Sequence, residues 1–308
     1  MGSEECKVST DNLQRAYRKA RTKHCAGKSD EPRCKAILAA ATEAFTLKEA
    51  ACGAQAPAQL NPAYSSRALI TWATPATVFD HAPGDWAASN WTNQPAAFWA
   101  AWNPGNVAFQ KGKLTLTIDD QGCPRNCDGR PFKAGEIHTN QPLGPGYYEI
   151  RAQVAPGTGH LFGFFLFADS GKKGVYNEMD IEIGRSCDRA FTNYYSGGES
   201  EHTVSVPLGF DACTDFHNYG MKVTARSIEY YFDGRLARTV NLPAHESDLT
   251  IGKVFINFWP RKNLEGWLGD FKYEGPIAAS VEWFKFSPLT TGAPDQIFTP
   301  LASENTSQ

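Results

Sequence analysis

Val175-Tyr176-Asn177-Glu178-Met179-Asp180-Ile181-Glu182-Ile183-Gly184 is the stretch around which the rest of the chain is organised. Acidic residues at 178, 180 and 182 alternate with Met179, Ile181 and Ile183. On a β-strand every second side chain shares a face, so one face carries three carboxylates and the other enters an apolar core. A strand with one face simply in water would mix Thr, Ser or Lys into that face. Adjacent like charges repel and drive pKa values apart, which suits acid–base chemistry. Paired carboxylic acids point to glycoside hydrolysis. The Cα atoms of Glu178 and Glu182 should lie about 13 Å apart along an extended strand. Side chains leaning together on a concave sheet would close the carboxyl gap to about 5–6 Å, the separation that suits retention with one nucleophile and one acid/base. Asp180, between them, would hold the pair in different protonation states.

The neighbouring stretches also read as strands. KLTLTID (113–119), YYEIRAQV (147–154) and IEYYFDG (228–234) alternate or cluster β-formers between Gly and Pro turns. HLFGFFLFA (160–168) is a continuous apolar run and reads as a strand buried on both faces. No helical periods of 10–15 residues separate these runs, so a parallel α/β sheet is unfavoured and an antiparallel two-sheet sandwich is expected. With 308 residues, one large domain plus a small extra one is expected. Residues 67–290 form the large domain and 291–308 a tail.

Residues 1–53 differ in kind. Asp11 caps a helix carrying Leu13, Ala16, Tyr17 and Ala20, and a second helix carries Ile37, Leu38, Ala41, Phe45 and Leu47. Cys6 and Cys25 are spaced almost as Cys34 and Cys52 are, which gives two helical arms each about 28 Å long. An antiparallel hairpin then favours Cys25–Cys34 and Cys6–Cys52 among three connectivities. Two staples suit so small a core. This unit has a net charge of +3, with Arg15, Arg18, Lys19, Arg21 and Lys23 clustered. That cluster is either a solvated helix face or a docking surface for a wall polymer or a partner protein. Residues 54–66 have linker composition.

The whole chain has net charge −3, which excludes a generally basic nucleic-acid binder. No apolar run reaches the roughly 18–20 residues of a membrane span. The eight cysteines lack zinc-type spacing and read as disulfides, hence an oxidising compartment and a secreted or periplasmic protein. Met1-Gly2-Ser3 reads as an expression leader in place of a removed secretion signal. A monomer is expected.

Glu178-Met179-Asp180-Ile181-Glu182 matches the E-x-D-x-E signature of glycoside hydrolase family 16. The chain resembles the bacterial lichenases, endo-β-1,3-1,4-glucanases of jelly-roll fold, over roughly residues 78–287. NYY (193–195), LGFDA (208–212), FHNYG (216–220), YYFDGRLARTV (230–240), INFW (256–259), GWLG (266–269) and VEWFKF (281–286) follow the lichenase order. The resemblance implies Glu178 as nucleophile, Asp180 as assisting carboxylate and Glu182 as acid/base, with β-glucan as substrate and no catalytic cofactor. One residue separates Asp180 from Glu182; laminarinases, agarases and carrageenases typically have two. Plant xyloglucan transglycosylases and fungal wall transglycosylases share the shorter form and stay open, as does a bacterial depolymerase of acidic exopolysaccharide. So does a non-catalytic carbohydrate-binding module, which would not need three acids.

The same alignment implies sugar contacts. Tyr176 replaces a lichenase Trp, Asn193 and Tyr195 share a strand face, and Asn257, Trp259 and Trp267 match an Asn and two Trp of the lichenase cleft. Aromatic faces stack on pyranose rings and Asn directs hydrogen bonds. Trp99 and Trp102 are either cleft or core. Glu136 and His138 stand where lichenases carry Glu and Arg, and a neutral His cannot make the bidentate contacts of Arg. A structural calcium is implied at the Gly112 carbonyl and Glu282, which replaces a lichenase Asp. The lichenase disulfide is not reproduced; Cys123–Cys127 and Cys187–Cys213 are expected instead.

Overall fold

The computed structural model describes residues 77–79, 83–93, 98–172, 175–200, 202–242, 252–262 and 265–289. The helical hairpin expected at 1–53, its two disulfides, the linker at 54–66 and the tail at 291–308 lie outside them.

Two sheets face one another. The first runs in the order β12 (Val204–Pro207), β10 (Arg189–Ser196), β9 (Val175–Gly184), β8 (His160–Lys172), β16 (Lys253–Pro260), β6 (Phe132–Thr139) and β2 (Trp86–Ala88), all antiparallel. The second runs β15 (Arg235–Asn241), β14 (Ser227–Phe232), β13 (His217–Val223), β7 (Gly146–Gln153), β17 (Ile277–Pro288), β5 (Lys113–Asp119) and β4 (Val107–Gln110), again antiparallel. β6 belongs to both: Ala134 pairs with Ile118 of β5, while Ile137 pairs with Ile256 of β16. The short β1 (Thr77–Val78) lies on β17, and β11 (Glu199–Ser200) closes a hairpin with β10. β3 (Ala100–Trp102) runs parallel to the start of β6 and departs from the antiparallel expectation. Helix among the described residues is limited to a 3-10 turn, Pro104–Asn106, and one α-helical turn, Glu265–Leu268. The architecture is the expected all-β, jelly-roll-like sandwich.

Alternation accounts for the core. Met179, Ile181 and Ile183 are buried with Phe162, Phe164 and Leu166 of β8 and Val254, Ile256 and Phe258 of β16. Leu114, Leu116, Ile118, Ile150, Tyr219, Met221, Tyr230 and Val281 enter the same cluster from the opposite sheet. Tyr230 is fully buried, and its hydroxyl donates to the Asn193 carbonyl at 2.7 Å, tying the second sheet to β10. Arg238 adds Nη1 donations to the Thr192 carbonyl (2.7 Å) and hydroxyl (2.8 Å). β10 is thus held from behind, next to the acidic strand.

The expectation that β8 is buried on both faces holds only for its start, where His160, Leu161, Phe162, Gly163 and Phe164 are all buried; further on, Phe164 and Leu166 face the core but Phe165 and Phe167 are only partly buried on the opposite face. A run of Phe hides an ordinary alternation when both faces are apolar.

Both expected disulfides form, Cys123–Cys127 and Cys187–Cys213. The second fastens the turn after β9 to the segment before β13 across 26 residues, against four for the first. Loop-closure entropy then ranks them at about 3–4 and about 2 kcal/mol. The Cys187→Ser/Cys213→Ser double variant should lose more stability in urea unfolding than Cys123→Ser/Cys127→Ser; the reverse order would show that the Cys187 bridge does not clasp a folded turn.

Candidate active site

Residues opposed in register share a face, so the pairings lay out three parallel rows across the first sheet. The middle row is Asn193, Asp180, Phe165, Phe255 and His138. On one side lie Tyr195, Glu178 and Phe167. On the other lie Phe191, Glu182, Gly163, Asn257 and Glu136. The three acids of β9 therefore occupy one position in each row, flanked by aromatic and amide groups.

Burial governs their protonation. Desolvation raises the pKa of Glu178 to about 8, with repulsion from Glu182 and Glu136 adding to it. Desolvation raises Glu182 to about 7, and the Arg261 guanidinium opposes that rise. Asp180 is held well above the ordinary range by burial and then by its two acidic neighbours. Asp180 and Glu178 share a side-chain hydrogen bond that lowers Glu178 and raises Asp180. Such a bond between carboxyls needs one proton, which the pair shares. Asn193 also bonds the Asp180 side chain.

Glu136 is buried and bound twice. Ser89 Oγ donates to Oε1 at 2.6 Å and Asn257 Nδ2 donates to Oε2 at 2.9 Å. Desolvation still holds it at about 7. Asn257 Oδ1 is buried with no hydrogen-bond partner and aims at β8, where a Cβ on Gly163 would meet it at 2.5 Å. Gly163 thus leaves room for the amide in the row of Glu182.

The aromatic rings form a strip. Tyr195 lies 5.3 Å from Tyr176, Tyr176 lies 5.3 Å from Phe167, and Phe255 stacks on Phe165 at 5.1 Å. His138 continues it, 5.2 Å from Phe255 and 5.6 Å from Trp91, which is 43% exposed. His138 Nδ1 lies 3.0 Å from the Thr139 carbonyl, which can only accept, so Nδ1 carries a proton.

Residues 94–275 match the profile of Glycosyl hydrolases family 16. The chain belongs to that family. It is a glycoside hydrolase and is similar to β-glucanases. A β-glucanase of Acetivibrio thermocellus is 32% identical over 245 residues, 78% of this chain and 70% of that protein. The β-glucanase of Bacillus licheniformis superposes with a TM-score of 0.63 at 26% identity, covering 70% of this chain and 100% of that one. A prokaryotic β-1,3-1,4-glucanase (lichenase) derived from a mouse hindgut metagenome superposes with a TM-score of 0.63 at 27% identity, over 70% of this chain and 98% of that one.

Within this family 16 fold, Glu178, Asp180, Glu182, Tyr176, Asn193, Tyr195, Asn257, Glu136 and His138 lie together on one face. Trp259 and Trp267 differ. Trp259 is only 5% exposed, and Phe98 stacks on its face at 4.3 Å, so that face is closed to a sugar. Trp267 is partly buried, with Phe191 against it edge-on at 5.2 Å. Trp102 is core at 4% exposure, and Trp99 is partly buried against Phe132. At the implied calcium site the Glu282 carboxylate accepts from Arg151 Nε at 2.9 Å, so a protein cation already stands at one expected ligand. Sequence reasoning missed Phe165, Phe167, Phe255, Ser89 and Arg261. The parity of Phe165 and Phe167 with Gly163 was the signal available; Ser89 and Arg261 reach the site from other strands and have none.

Two outcomes follow from these contacts. Gly163→Ala should push the Asn257 amide off Glu136 and lower kcat/KM on β-glucan by about tenfold to a hundredfold; an unchanged kcat/KM would show the amide to be free to move. Carboxyls whose folded pKa is raised keep protons that the unfolded chain has lost, so stability falls as pH rises through the folded pKa. Glu136, Glu178 and Glu182, with Glu149 of β7 also raised to about 7, all act in this sense. Tm should fall from pH 5 to pH 8, and a Tm that climbed over that range would contradict the protonated cluster.

Proposed function

We propose that this chain is a secreted, monomeric endo-β-glucanase that hydrolyses mixed-linkage β-1,3-1,4-glucan with retention, through a glycosyl-enzyme intermediate. The observation that carries this reading is the set of three carboxyls, Glu178, Asp180 and Glu182, on one face of β9, flanked by Asn193, Tyr195 and Phe167. Glu178 must give up its proton to attack an anomeric carbon, and the hydrogen bond from Asp180 favours that ionised form. Glu182, raised to about 7, retains a proton near neutral pH and can deliver it to the departing sugar oxygen. Once Glu182 is protonated it no longer repels Glu178, so the two protonation states favour one another. In the second step Glu182 takes a proton from water, which displaces Glu178 from the sugar with a second inversion.

The aromatic strip and the Glu136–Asn257 pair supply a floor for pyranose rings and directed polar contacts. The names of the similar proteins, β-glucanases and a lichenase, support a β-glucan substrate. The two disulfides among the described residues support an oxidising compartment. The positive hairpin unit is proposed as an appendage that docks to a wall polymer or partner.

Lichenan should be hydrolysed faster than laminarin or xyloglucan, with β-configured product released first; α-configured product would reject retention. With an activated aryl glycoside, azide should rescue Glu182→Ala to a β-glycosyl azide and Glu178→Ala to an α-glycosyl azide. The opposite stereochemistry would exchange the two roles.

A further inference from the structure

Arg261 follows β16 and continues its facing pattern, so Asn257, Trp259 and Arg261 share the face of the acids. Its backbone is pinned: the amide donates to the Gly159 carbonyl at 3.0 Å, and an antiparallel bridge pairs it with Phe98. Its guanidinium carbon lies 5.3 Å from the Phe98 ring centre and 5.5 Å from that of Trp259. These are the two rings that stack on each other, so Phe98 and Trp259, closed to sugar, serve as a platform for a cation. Arg261 Nε is buried with no hydrogen-bond partner. The charge lies close enough to Glu182 and Tyr195 to interact with both. Lys262, next in the chain, places its ammonium 5.6 Å from the Trp99 ring centre. Arg261 therefore stands on the Glu182 side of the site, with a second cation, Lys262, next to it in the chain.

A neutral glucan gives this pair no charge to meet. Arg261 also works against the proton that Glu182 must hold for the acid step, because a nearby cation favours the carboxylate. An anion supplied by the substrate would neutralise the guanidinium of this half-buried residue, so Glu182 would keep its proton once substrate is bound. We propose that Arg261 and Lys262 form a subsite for a carboxylate carried on the glucan, so that an acidic β-glucan is a better substrate than the neutral one. This rests on reading the site as a β-glucan cleft, and adds the substituent that the cleft selects.

The test compares lichenan with lichenan oxidised at part of its C6 positions to glucuronate, using the full chain near pH 6.5. Wild-type kcat/KM should be about tenfold higher on the oxidised polymer at low salt, the size expected of a charge-assisted contact. Raising NaCl to about 0.5 M should reduce that preference several-fold. Arg261→Gln should bring the ratio between the two polymers close to one, and Lys262→Gln should lower it in part. The wild-type salt series and the Lys262→Gln variant keep the test decisive if Arg261→Gln fails to fold. A wild-type ratio at or below one overturns the subsite while leaving the glucanase reading intact. A ratio unchanged in both variants also overturns it. Cleavage of neither polymer overturns the glucanase reading on which the subsite rests.

Discussion

The structure depends on three carboxyl groups held side by side on β9, with Asp180 buried and Glu178 and Glu182 half-buried. Their ionisation is opposed twice, by lost solvation and by mutual repulsion, so the cluster must retain protons. Where those protons sit is decided by what surrounds the strand. Asn193 from β10 and the Asp180–Glu178 bond set the middle and one side; Arg261 sets the other. Glu136 is a fourth raised carboxyl on that side, tied by Ser89 and Asn257. Each partner comes from a different part of the sequence, so the sandwich must be complete before the protons are arranged.

Rigidity behind the strand follows from the same demand. Met179, Ile181 and Ile183 lock β9 into the core, so every acid is aimed by the apolar residues beside it. Tyr230 and Arg238 hold β10 from the opposite sheet, which fixes Asn193 against Asp180. The arrangement costs stability at high pH, and the buried aromatic core between the sheets offsets that cost.

The period-two alternation of VYNEMDIEIG made the acidic face legible, because a strand has one way to separate Glu from Ile. The same alternation placed Asn193 beside Tyr195 and Glu136 beside His138. It failed on HLFGFFLFA, where Phe165 and Phe167 line the site while Phe162 and Phe164 fill the core. Residue type carries no facing information when both faces are aromatic. Trp259 misled for a related reason: its position was right, but Phe98, which covers its face, comes from a distant segment. Arg261 was illegible because its meaning lies in what it approaches, Glu182, and no local pattern announces that. At Glu282, carrying a ligand over by position did not announce Arg151, a protein cation beside the expected carboxylate.

The division of labour within the acidic row is the central claim, and trapping the intermediate tests it most directly. A 2-deoxy-2-fluoro β-glucosyl fluoride slows both steps, and deglycosylation most, so a covalent adduct should accumulate. Peptic digestion and mass spectrometry should place the added sugar on Glu178 within the peptide that spans β9. A sugar on Glu182 or Asp180, or inactivation with no adduct, would contradict the account.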